Sequence, residues 1–168
     1  MQDYQTVLDY ARKNYRRMFR EPEGNLKYRF IVPGSCYSNC LWDWDSWLTN
    51  VALRQFVAED IGEYERGCIL NYLEYCGADG RVPIVILPDS FMPALSSGAE
   101  TNAHKPCLAQ HAAFLSQYGG AEWLRPYFPR LERFLRFYHE NCRHETGLYF
   151  WLDDYAIGVD NDPCTFYR

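Results

Sequence analysis

The 168-residue chain has no apolar run approaching the roughly 20 residues that a membrane-spanning helix needs. Its N-terminus, Met1-Gln2-Asp3-Tyr4, shows no basic stretch leading into an apolar one, so no signal peptide is visible and a cytoplasmic location is expected. Positive charge is in short supply: 17 basic residues stand against 22 acidic ones, giving a net charge of −5. Nucleic-acid binding needs clustered cations, so neither a nucleic-acid nor a membrane partner is expected. Metal-ligand spacing is missing as well. The four histidines include no pair at i, i+4, and Cys36-x-x-x-Cys40 has no second close pair to complete a zinc site. Seven cysteines at irregular spacing read as reduced thiols serving as small apolar residues, not as a disulfide framework. No metal and no cofactor are expected. Repeats, low-complexity tracts and an interdomain linker are also absent.

What the chain has in abundance is aromatic residues. Tyr 14, Phe 10 and Trp 5 make up 17% of it. Such rings fill cores, and they also stack on the C–H faces of sugar rings; composition does not choose between the two.

Apolar periodicity predicts an all-α chain of about five helices in antiparallel pairs with long loops at one end. The first spans 3–19, with Val7, Leu8, Ala11, Tyr15 and Met18 on one face. Residues 20–41 read as a loop with a short strand at Tyr28–Val32. A second helix covers about 44–59, with Trp47, Leu48, Val51 and Phe56 as its apolar positions. A third starts near Asp60 as N-cap and stops at Gly77. Residues 77–103 are a long connection containing the apolar run Val82–Leu87, and connections of that length are usually functional. A fourth helix covers about 104–118 until Gly119-Gly120 breaks it, with Leu108, Ala112, Leu115 and Tyr118 on one stripe. A fifth covers about 121–142, with Leu124, Phe128, Leu131, Leu135 and Tyr138 as apolar positions; Pro129 kinks it or marks its true start. From Arg143 the chain again reads as irregular.

Three clusters could carry chemistry. Tyr37 and Trp42-Asp43-Trp44-Asp45-Ser46-Trp47 sit at a loop-to-helix junction. Either Asp43 or Asp45 caps the helix while the Trp residues anchor the core, or Asp accepts sugar hydroxyl protons while Trp stacks on the ring; both can hold together. Asn102-Ala103-His104-Lys105-Pro106 opens the fourth helix, where the dipole disfavours a cation. Lys105 is then a solvated lysine, or a group that donates hydrogen bonds to substrate or tunes a carboxylate. The third cluster is Trp151-Leu152-Asp153-Asp154-Tyr155 through Gly158-Val159-Asp160-Asn161-Asp162. Carboxylates among aromatic residues have raised pKa values, as a general acid working near neutrality requires. A calcium loop lacks the EF-hand spacing here, and a solvated acidic tail is the bland reading.

The ordered set Trp44-Asp45-Ser46, Gly80-Arg81-Val82-Pro83, Asn102 with Lys105-Pro106, Gly147-Leu148 and Gly158-Val159-Asp160-Asn161 resembles glycoside hydrolase family 63. That family includes processing α-glucosidases and mannosylglycerate hydrolases. The resemblance spans residues 37–163. It implies an (α/α)6 barrel with sugar bound in loops at one end, and inversion by a pair of carboxyl groups roughly 6.5–9.5 Å apart. By the same resemblance Asp160 is the general acid, while Trp44, Asp45 and Lys105 fall at sugar-contacting positions. Tyr37, Trp42, Trp151 and Asn161 complete the candidate binding set. Asp162-Pro163 departs from the family's usual continuation, a Ser or Ala and then an Arg, and places a further acid two residues from Asp160.

Length is the larger departure. Catalytic domains of this family are more than twice as long, with the general base, a Glu, in the later half. The expectation is therefore one domain, residues 1–168, forming the N-terminal part of a larger barrel. Its exposed apolar faces would be covered by a second copy or by the remaining helices. The leading expectation is an inverting hydrolase of an α-linked glucoside or mannoside, with little turnover by this chain alone. The alternatives are a non-catalytic carbohydrate-binding module or truncated inactive fragment, and a sugar epimerase or lyase on the same barrel.

Overall fold

The computed structural model describes residues 2–34, 39–92 and 105–150. Five α-helices run through them: α1 (Gln2–Asn14), α2 (Asp43–Leu53), α3 (Gly62–Glu74), α4 (Cys107–Gly119) and α5 (Phe128–Asn141). Two small antiparallel sheets lie between them. One pairs β1 (Phe19–Arg20) with β2 (Phe30–Ile31); the other orders β3 (Leu41–Trp42), β4 (Val85–Ile86) and β5 (Phe91–Met92). The mostly helical reading holds, and the strand expected at Tyr28–Val32 is β2, while the apolar run Val82–Leu87 supplies β4.

The core lies where α3 meets β2, α2 and α4, around Phe30, Ile31, Ile69, Tyr72, Leu73, Leu108 and Phe134, all nearly solvent-free. The close approach of α3 to β2 depends on Gly67: a Cβ there would fall 1.7 Å from the Arg29 carbonyl oxygen. Tyr72 ties the helical layer to the second sheet, its hydroxyl lying 2.6 Å from the Leu41 carbonyl and 3.1 Å from that of Ile84.

Several boundaries differ from expectation for identifiable reasons. α1 ends at Asn14 and continues as a 3-10 turn, Tyr15–Met18. None of residues 3–18 is fully buried, and Val7 is exposed. The segment is held through Tyr15 and Arg16, whose side chains both bond Glu59, and through ring contacts of Tyr15 with Phe19 and Phe56. α2 stops at Leu53, short of 59. Asp60 stands one residue before the N-cap of α3, which is Ile61 without a side-chain cap, and its carboxylate accepts from the Gly62 N–H at 2.9 Å. Gly77 does not terminate that helix; it opens a turn, donating to the Arg81 carbonyl. The left-handed residue is Gly80, at φ +89°, where a Cβ would sit 2.4 Å from the Arg133 carbonyl on α5. That gives the Gly80-Arg81-Val82-Pro83 motif a packing role.

Gly120, at φ +71°, ends α4 as expected. Glu122–Tyr127 is a 3-10 helix containing Pro126, and α5 starts at Phe128 with Pro129 in its first turn, so Pro129 marks a true start. Phe128, Leu135, Tyr118 and Leu48, expected on packed stripes, are instead exposed. Tyr118 is used differently: the Arg54 guanidinium lies over its ring at 4.5 Å.

Candidate functional site

β3 runs directly into α2, so the pairing of Leu41 with Ile86 and of Trp42 with Val85 fixes where that helix begins. Trp42 occupies the N-cap position without a side-chain cap, and Asp43 and Asp45 both lie in the first turn. The capping role expected of one of them is therefore not used. The first turn still favours carboxylates through the helix dipole.

Asp43 points inward. It is 1% exposed, and its Oδ2 accepts from the Lys105 ammonium at 2.8 Å and from the Lys105 backbone N–H at 3.2 Å. Lys105 is 7% exposed, so the solvated-lysine reading fails. Its ammonium also lies 5.5 Å from the centroid of a Trp44 ring, within the range of a cation–π contact. The carboxylate thus offsets the unfavourable position of a cation just before the start of α4. Trp44 and Asp45 are half-buried beside this pair. Burial, and next the charge of Asp43, push the Asp45 carboxyl above its usual range, against the pull of its own backbone hydrogen bond and of Lys105.

The result is a compact set at the junction of α2 and α4: a fixed ion pair, an aromatic face and a second carboxyl with a raised pKa. Such a set has donors, acceptors and a flat apolar ring, as recognition of a polyhydroxylated ring requires. Asp43 Oδ1 is buried with no partner among the described residues. A second apolar surface adjoins the set. Pro106, next in sequence to Lys105, joins Leu135, Tyr138 and Tyr149 in lining a cavity of about 650 Å³.

Of the sequence-predicted site residues, Trp42, Trp44, Asp45 and Lys105 lie at this junction. Tyr37, Trp151, Asp160 and Asn161 lie outside the described residues, as do Cys36 and Cys164. Sequence reasoning missed that Asp43, Ser46 and Asn50 make the buried stripe of α2 polar. Their i, i+3, i+7 spacing was the available signal. The stripe continues inward: the Asn50 amide nitrogen lies 2.6 Å from His111 Nε2, both residues buried, and beyond α2 Arg54 bonds the fully buried Glu65 through both carboxylate oxygens. A cavity of about 350 Å³ opens between Arg54, Arg66 and Tyr118.

Among the described residues no cluster of His, Cys, Asp or Glu has the makings of a metal site. The described cysteines are all free thiols, with Cys68, Cys107 and Cys142 buried as expected of small apolar residues. No helix among the described residues is long and apolar enough to cross a membrane.

The family model of the mannosylglycerate hydrolase MGH1-like glycoside hydrolase domain matches residues 37–167. That interval takes in both the Trp42–Lys105 junction and Asp160. Neither a curated protein nor a solved structure matches the chain.

Proposed function

The chain belongs to the MGH1-like glycoside hydrolases, and from that premise we propose that it binds an α-linked glucoside or mannoside at the α2–α4 junction and hydrolyses it with inversion. The observation that carries the reading is the Asp43–Lys105 pair set against Trp44 and Asp45, a ready-made surface for one sugar ring. In this reading Trp44 packs on the ring, while Asp45 and Lys105 hydrogen-bond its hydroxyls. Asp160 protonates the departing oxygen. Trp42, Tyr37, Trp151 and Asn161 shape the remainder of the cleft.

Inversion needs a second carboxylate to activate water on the opposite face of the ring. We assign that role to a Glu outside residues 1–168, on helices that complete a barrel of which these residues form one part. A second copy of the chain, or those helices, covers exposed side chains such as Leu135 and Phe128. A cytoplasmic location belongs to the same proposal.

The test compares the wild type with Asp160→Asn and Asp45→Asn, using methyl α-glucoside and methyl α-mannoside followed by tryptophan fluorescence, and hydrolysis followed by NMR of the released anomer. Asp45→Asn should weaken binding about tenfold, the cost of one hydrogen bond to a charged group. Asp160→Asn should leave binding intact and abolish turnover wherever turnover is measurable. Binding without hydrolysis, even in a chain that carries the remaining helices, would identify a carbohydrate-binding module. Isomerised or unsaturated products would identify an epimerase or lyase.

A further inference from the structure

Lys105 is one of only three lysines in the sequence, with Lys13 and Lys27, and it alone of the three is buried. A buried ammonium in a sugar cleft would ordinarily attract an anionic ligand. Here its charge is already spent. One Asp43 oxygen, Oδ2, accepts from both the Lys105 ammonium and the Lys105 backbone N–H, and the backbone bond keeps the carboxylate in place beside the ammonium. Asp45 stands two residues from Asp43, in the same first turn of α2. With both carboxylates ionised, Asp43, Asp45 and Lys105 sum to one negative charge.

We propose that Asp43 is a positioning and specificity-determining residue: it fixes the Lys105 ammonium against Trp44 as a hydroxyl-directed donor and cancels its charge, so that the junction accepts an uncharged sugar ring and rejects one bearing a carboxylate. The inference rests on the junction being the sugar site. It deepens that reading by naming what sets the charge of the sugar ring taken at that position. A carboxylate brought within a few ångströms of an uncompensated negative charge is repelled, and juxtaposed like charges at interfaces cost enough to set specificity. Replacing Asp43 by Asn keeps the shape and an acceptor, brings the three-residue sum to zero and removes the carboxylate that competes with a ligand for the ammonium.

The experiment uses the 168-residue protein and two probes, methyl α-D-glucoside and its uronic-acid counterpart, methyl α-D-glucuronoside, titrated by tryptophan fluorescence at 20 and 300 mM salt (about 20 and 300, chosen to bracket strong and weak screening). The wild type is expected to bind the neutral probe at least about tenfold more tightly than the charged one. Asp43→Asn is expected to narrow that ratio to about threefold or less at low salt, with the gain lost at high salt. Asp43→Asn/Lys105→Met should lose the gain at both salts, which a purely structural role for Asp43 would not produce. Circular dichroism confirms that each variant is folded.

A ligand-free arm uses acetic anhydride labelling mapped by mass spectrometry. Lys105 should label at least about tenfold more slowly than Lys13 and Lys27, as burial of its ammonium in an ion pair dictates. Equal labelling of the three lysines overturns the proposal whatever the sugar data show. A protected Lys105 with no binding of either probe overturns the sugar site, and with it the specificity role, while leaving the ion pair as a structural feature. Wild-type affinity for the uronoside equal to that for the glucoside overturns the specificity role alone.

Discussion

Arg54→Met isolates the energetic weight of the polar seam beneath the site. Arg54 caps the end of α2, and its Nε donates to Glu65 Oε1 at 2.7 Å while a second nitrogen donates to Oε2. Glu65 has no exposed side-chain surface, and Arg54 retains 17%. Methionine replaces the aliphatic stem and removes the charge, leaving a carboxylate buried without its cation. Breaking a buried pair in this way costs about 3–5 kcal/mol, a large share of the roughly 5–15 kcal/mol typical of a folded domain. With a urea dependence of about 1–3 kcal/mol per molar, the unfolding midpoint should fall by about 2 M.

The pH dependence supplies the sharper check. Burial pushes the Glu65 carboxyl up, with the hydrogen bonds and charge of Arg54 as the chief opposing influence. Without Arg54 it moves higher still. A carboxyl whose folded pKa exceeds its unfolded one contributes stability below the unfolded value and loses it as pH rises through the folded value. The deficit of Arg54→Met should therefore be largest at pH 7 and shrink toward pH 5. Arg54→Met/Glu65→Gln should recover at least half of the loss, because no buried charge remains. Urea melts at both pH values read all of this. A loss under about 1 kcal/mol at pH 7, or a deficit independent of pH and equal in the double variant, would refute the reasoning.

Gly67→Ala drives a Cβ into the Arg29 carbonyl, which is backbone and cannot swing aside; a loss of about 2 kcal/mol or more in thermal melts is expected, and an unchanged midpoint would show that α3 and β2 separate easily. Glu74 behaves in the opposite sense to Glu65. Despite partial burial, hydrogen bonds from Tyr127, Arg130 and Tyr28 hold its carboxyl below the usual range, so its contribution is present at neutral pH and fades as pH falls through the folded value; Glu74→Gln should flatten the acid limb of the stability curve. Burial pushes the Cys68 and Cys107 thiols up to about 12, so a thiol reagent at pH 8 should spare both in the folded protein and modify both in urea. Rapid labelling of either under native conditions would contradict the packing of α3 or α4.

The helices were legible where periodicity and a stop signal coincided. Gly120 after α4 and Pro129 at the start of α5 are stops that act through local backbone geometry, and they fall where the sequence places them. Gly77 was misread because a helix-ending glycine and a turn-opening one look alike; the left-handed position three residues later is set by contact with α5, which no local window contains. The site shows the same division. Trp44, Asp45 and Lys105 were visible as residue types at helix starts. The partnership of Asp43 with Lys105 spans 62 positions, and nothing in either segment announces the other. Exposed Phe128 and Leu135 kept the helical period while facing outward, since periodicity gives a stripe but not what covers it.

The loosely seated α1 has a consequence for how the molecule comes apart. No side chain from Asp3 to Asn14 is fully buried, so α1 opens at a fraction of the cost of the core, ahead of the sheets and the α2–α3–α4 packing. Arg12, Lys13, Arg16 and Arg17 are all exposed at its end, which places the chain's densest run of tryptic bonds at its weakest joint. Limited digestion would pare the protein to its core from that point, and heat would register two events where a single cooperative domain shows one.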